Sequence, residues 1–135
     1  MENIMKELTQ VLSKAYETEA MAAFSEFFSG ELHTLQYLSK HTESDVFPSD
    51  LSDALHVTRA RITKTLAALR KKGYVKMDLC EKDRRRMRIS LTDSGVEYLY
   101  AKQQVVRVYI KKWIDRLGTE NTAELIRLLK ISLEQ

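Results

Sequence analysis

The apolar residues between Pro48 and Leu91 change their period part-way, and that change limits what this chain can fold into. Ile62, Leu66 and Leu69 fall at i, i+4 and i+7, the spacing of one buried helical stripe. Thr58 is placed to cap that helix. Gly73 ends it, with Lys71 and Lys72 at the negative end of the helix dipole. Ahead of it lies a shorter helix opened by Pro48 and Ser49. Ser49 fits the cap position, Asp50 suits the positive end of the dipole, and Leu51, Ala54 and Leu55 form the inner face. Val57 and Thr58 make a tight turn between the two. Beyond Gly73 the period falls to two. Tyr74-Val75 and Met77, then Ile89 and Leu91, predict short strands near 74–79 and 87–91 joined by a charged hairpin.

The flanks are helical. Ile4, Leu8, Val11, Leu12, Ala15, Ala22 and Ala23 predict a helix over residues 3–28, interrupted by Ser29 and Gly30. Ser29 then caps a helix carrying Leu32, Leu35, Tyr37 and Leu38, with Glu31 in its first turn. Thr92 caps a long helix over 93–116 whose apolar residues spread over more than one face. Gly118 breaks it, and Asn121 with Glu124 resembles a capping box for a last helix. The expected fold is mainly α (α+β). A winged helix-turn-helix lobe over 31–94 carries a small β-hairpin wing, and helices over 1–30 and 95–135 flank it as a dimerisation region. A chain of 135 residues has little core for both a separate lobe and these apolar flanks. Pairing two chains through the flanks resolves that.

Charge is concentrated on the lobe. From Arg59 to Arg88 twelve basic residues stand against three acidic ones, a net +9; the rest of the chain nets −6, and the total is +3. A basic third on an otherwise acidic chain suits a polyanion such as double-stranded DNA, although a solvated basic face has the same composition.

The second helix of such a pair normally enters the major groove. At about 100° per residue, Leu66 and Leu69 stay within about 40° of Ile62. Ala60, Lys64, Ala67 and Lys71 point away from that stripe, with Arg61 and Ala68 beside them and Thr63 at the edge. Small residues between cations let a helix approach DNA while Arg and Lys reach bases or phosphates. Arg61 suits a bidentate guanine contact and Thr63 a thymine methyl or a phosphate. Arg59 lies nearer the core flank and suits a phosphate. The amides at the helix starts, at Ser49 and Thr58, suit phosphates too. At the hairpin tip, Lys82, Asp83, Arg84, Arg85 and Arg86, with Arg88 on the following strand, form the second candidate contact. Asp83 is placed to hold the Arg85 guanidinium extended, a shape that suits a narrow minor groove. A charged hairpin also discourages sheet pairing at an edge.

The residues LHTLQYL (32–38), PSDLSDALHVTRARITKTLAALRKKGYV (48–75) and DRRRMRISLTDSG (83–95) resemble the multiple antibiotic resistance regulator (MarR) family of winged-helix repressors. Thr63-Lys64 fills the family's Thr-Arg slot, Leu69 to Val75 its helix exit, Asp83-Arg84-Arg85 its wing motif, and Leu91 to Gly95 the Leu-Thr-x-x-Gly that follows. Two positions depart from the pattern: Met77 stands where an arginine is usual, and Lys64 replaces an arginine. The resemblance implies an obligate homodimer on a pseudo-palindromic operator, and a repressor released by a small-molecule effector whose identity the residues leave unknown. Tyr16, Phe24, Phe27, Phe28, Tyr37, Tyr98 and Trp113 are candidates to line an effector pocket or simply to form core.

Other chemistries find little support. There is no Gly-rich phosphate loop, no paired metal ligands and no Cys-His or Ser-His arrangement, so neither an enzyme nor a cofactor or metal is expected. His33, His41 and His56 are scattered. Cys80 is the single thiol, which excludes an internal disulfide. No apolar run is long enough for a membrane span, and the acidic residues near the N-terminus fit a cytoplasmic protein. The competing reading is a winged-helix module that binds an acidic protein rather than specific DNA.

Overall fold

A computed structural model describes residues 1–134. The order is α1 (Glu2–Tyr16), α2 (Glu19–Ser25), a 3₁₀ turn (Glu26–Phe28), α3 (Gly30–Lys40), α4 (Pro48–Leu55), α5 (Arg59–Lys71), β1 (Val75–Leu79), β2 (Met87–Leu91), α6 (Asp93–Leu117) and α7 (Thr119–Leu133). The expected mainly helical winged fold is present. The strands pair antiparallel, with Val75 opposite Leu91, Met77 opposite Ile89 and Leu79 opposite Met87.

Three local expectations are corrected. The helix over 3–28 is two helices and a 3₁₀ turn, because Thr18 starts a new one: its hydroxyl accepts the Met21 amide at 3.2 Å. Ser49 does not cap α4. The cap is Phe47, whose amide donates to Asp50 Oδ2 at 2.9 Å, and Ser49 sits inside the first turn. Pro48 explains the shift, since proline has no N–H and its fixed φ suits the first helical position. The last helix starts at Thr119, before the expected capping box. Asn121 instead donates to the Leu117 carbonyl, and Glu124 binds Arg127.

The core sits in the lobe. Leu32, Leu35 and Leu38 of α3, Leu51 of α4, Ile62, Leu66 and Leu69 of α5, Val75 and Ile89 of the hairpin, and Leu99 of α6 form one buried cluster. The exit of α5 is a Schellman turn. The Tyr74 amide reaches the Leu69 carbonyl and the Gly73 amide reaches that of Arg70, both at 3.0 Å, with Gly73 at φ +81°.

The α6 start locks onto this turn. The Thr92 hydroxyl donates to the Gly73 carbonyl and accepts the Gly95 amide, and the Thr92 amide donates to the Tyr74 carbonyl. Gly95 lies so close that a Cβ there would sit 2.1 Å from the Tyr74 carbonyl oxygen. Tyr74 and Tyr98 stack with centroids 4.4 Å apart. The base of the wing and the start of α6 are therefore one rigid corner. By contrast, α1 and α7 bury no residue at all.

Candidate nucleic-acid interface

Helix α5 buries Ile62, Leu66 and Leu69 and leaves Arg59, Ala60, Arg61, Thr63, Lys64, Ala67 and Lys71 exposed. The faces divide as the periodicity predicts, except that Ala68 is half-buried. Thr58 caps the helix, its Oγ1 accepting the Arg61 amide at 3.1 Å. The Thr63 hydroxyl donates to the Arg59 carbonyl at 2.9 Å. With that proton engaged, the Thr63 hydroxyl has none left to donate to an outside acceptor.

The wing tip is a braced arm. Asp83 Oδ1 accepts both the backbone amide of Arg85, at 3.1 Å, and its Nε, at 3.2 Å. The Arg85 side chain remains 91% exposed, so this contact sets direction without covering the guanidinium. The loop closes through Arg86 N–H to the Asp83 carbonyl, at 3.1 Å, and Cys80 N–H to the Arg86 carbonyl, at 2.9 Å. Cys80 itself is buried.

Two of the other wing arginines are held by the chain. The Arg86 guanidinium lies over the Phe47 ring, 3.6 Å from its centroid. Arg88 faces Asp45 at 3.6 Å. Among the described residues, Arg59, Arg61, Lys64, Lys82 and Arg84 have no acidic partner within 4.0 Å. Lys72, at the end of α5, does: its Nζ lies 2.7 Å from Glu31 of α3, and this hydrogen bond raises the lysine's pKa above its usual value. Residues 31 and 72 are far apart in sequence, so nothing local announced the pair.

Of the aromatic residues considered for a pocket, three meet. Phe24, Phe27 and Phe28 line an open cavity of about 630 Å³ with Gln36, Tyr100, Gln103, Gln104, Val106 and Arg107. Tyr37 stacks instead on His41, Tyr98 on Tyr74, and Tyr16 is exposed on α1. Trp113 lies beside Leu117 and Leu125. Among the described residues no group of three His, Cys, Asp or Glu side chains could hold a metal ion, and no helix is long and apolar enough to cross a membrane.

Residues 32–95 match the winged helix DNA-binding domain family. The backbone of YusO from Bacillus subtilis superposes with a TM-score of 0.81 at 18% identity, covering 99% of this chain and 98% of that one. The chain has the fold of the MarR-family winged-helix regulators. A variant of MepR from Staphylococcus aureus, bound to an oligodeoxyribonucleotide, superposes with a TM-score of 0.70 at 22% identity, over 96% of this chain and 95% of that one. In sequence, the HTH-type transcriptional regulator PapX of Escherichia coli is 34% identical over 94 residues, 65% of this chain. The chain spans 57% of the length of PapX.

Proposed function

We propose that this protein is a sequence-specific regulator of transcription, a repressor that binds a pseudo-palindromic operator in double-stranded DNA as a homodimer. The lobe over 31–94 binds DNA, and the helices over 1–30 and 95–135 pair the two chains. Helix α5 enters the major groove, with Arg61 and Lys64 at base edges, Ala60 allowing close approach, the Thr63 methyl against a thymine and Arg59 on a phosphate. The amides at Thr58 and Ser49 face phosphates. The wing enters the adjacent minor groove with Lys82, Arg84 and Arg85, while Asp83, Arg86 and Arg88 shape it.

The observation that carries this reading is the braced Arg85. A guanidinium fixed in direction by Asp83, yet 91% exposed, is organised for a partner outside the chain. The apolar faces of α1 and α7 support pairing: Ile4, Leu8, Leu12, Leu128, Leu129 and Leu133 are each half exposed or more. Aromatic rings and Arg107 around the 630 Å³ cavity support a small-molecule effector seated between α2 and α6.

Binding of the full chain to duplexes selected from its source genome tests the reading. Affinity falls steeply with salt. Arg85→Ala weakens binding about tenfold and lowers the salt slope by about one per protomer. Unchanged affinity in Arg85→Ala would remove the wing assignment. No preference for any duplex over random DNA, together with one stoichiometric protein partner, would replace the whole reading with that of a protein-binding module.

A further inference from the structure

A hairpin attached only through its strands is free to swing about its base. This wing has a second attachment. Asp45, Val46 and Phe47 run beside the wing, and each of the three touches it. Asp45 faces Arg88 at 3.6 Å, the Val46 carbonyl accepts the Ile89 amide at 2.8 Å, and the Phe47 ring lies under the Arg86 guanidinium, 3.6 Å from centroid to Cζ. Phe47 is also the cap of α4, the first helix of the helix-turn-helix. The wing tip and the start of the helix-turn-helix thus share one residue.

Resting on the DNA-binding reading above, we propose that Phe47 is a positioning residue for DNA recognition: its ring holds Arg86, and through Arg86 it sets the angle at which Arg84 and Arg85 meet the minor groove. Arg86 then acts on Phe47 rather than on DNA. The planar guanidinium suits this role, because it stacks on a ring face while keeping its charge. The tie sits close to the tip. Arg86 N–H donates to the Asp83 carbonyl, and Asp83 carries Arg85, so a rotation of Arg86 is passed directly to the arm. Phe47 is half-buried, and its ring face is filled by this one cation.

The test uses the full chain and the duplex that the unaltered protein recovers from a random-sequence library. Affinity is measured across a salt series. Phe47→Leu keeps apolar bulk and removes the ring face; Phe47→Trp keeps the face. Phe47→Leu is expected to weaken binding about fivefold, the scale of an exposed cation–π contact. It also lowers the salt slope by about one, although no charge has been removed, because displaced arginines no longer release counterions. Phe47→Trp restores both. Phe47→Leu with Arg86→Ala binds within about twofold of Phe47→Leu alone, since the two residues act as one unit.

Unchanged affinity and slope in Phe47→Leu overturn the inference. So does a double variant that loses the product of the two single losses, which makes Arg86 a DNA contact in its own right. Arg86→Lys keeps the charge, loses the planar stack and touches no core. It is expected to behave as Phe47→Leu does, and it carries the test if Phe47→Leu fails to fold. Arg85→Ala separates the two readings. If it weakens binding and Phe47→Leu does not, only the positioning role falls. If neither does, the wing assignment falls and takes the positioning role with it.

Discussion

The lobe and the terminal helices solve the same physical problem in opposite ways. In the lobe, three helices and a hairpin close around Leu35, Leu51, Ile62, Leu66 and Leu69, each essentially removed from solvent. Helices α1 and α7 are equally apolar along one face, yet neither buries a side chain. Helix α6 joins the two regimes: its first turns pack on the lobe through Leu99, while Val105, Val108 and Ile110 further along stay exposed. Hydrophobic patterning therefore has two meanings in one chain. Where a stripe meets other stripes of the same chain, it makes a core. Where it meets few, its apolar side chains stay exposed.

The sharpest way to break that distinction is to charge the exposed stripe. The unaltered protein is expected to sediment as a dimer with a melting temperature that rises with its concentration. Leu8→Glu combined with Leu129→Glu is expected to yield monomer. Each lost leucine removes about 1.5–3 kcal/mol of burial, and a two-fold interface feels each twice. Sedimentation and circular dichroism together are the check. Monomer that retains the lobe's cooperative melting supports the division. Unchanged mass shows that α1 and α7 do not pair the chains.

The lobe is probed at its corner. Gly95→Ala places a methyl group 2.1 Å from the Tyr74 carbonyl oxygen, and a backbone oxygen has no rotamer by which to yield. The expected loss is about 1–3 kcal/mol, as for overpacking in a dense site. Thermal melting of Gly95→Ala beside Ser94→Ala, one residue away and exposed, checks it. Equal melting points would mean that the corner flexes.

Legibility in the sequence followed the range of each interaction. The α5 stripe, the Gly73 stop, the Thr58 and Thr92 caps and the Asp83–Arg85 brace all lie within a few residues, and their residue types announced them. Glu31–Lys72, Arg86–Phe47 and Gly95 against Tyr74 join distant or differently structured segments, where composition carries no signal. The basic run shows the same limit. Its charge was countable, but which cations are already engaged depended on Asp45, Phe47 and Glu31, all of them upstream of the run. The apolar periodicity of α1 was legible as a helix. Its break at Thr18 was also written locally, in a threonine followed by Glu19, and alternating alanines beyond it masked the signal.

The smallest effect expected lies in the turn between α4 and α5. His56 ends α4 in the left-handed region, at φ 55° and ψ 46°, and is the one non-glycine residue with positive φ among those described. A side chain there costs roughly 1 kcal/mol relative to glycine. Glycine returns part of that gain through the greater freedom of its unfolded chain, about 0.4–1 kcal/mol. The balance for His56→Gly is a stabilisation of a few tenths of a kcal/mol, a rise in melting temperature of about 1–2 °C. His56→Ala keeps the strain and gains nothing. Because His56 is exposed and lies outside the DNA-facing set, His56→Gly is expected to leave duplex affinity unchanged. Melting points for both His56→Gly and His56→Ala below that of the unaltered protein would show that the imidazole, rather than the backbone, stabilises this turn, and that the lobe relies on an exposed contact as well as on its core.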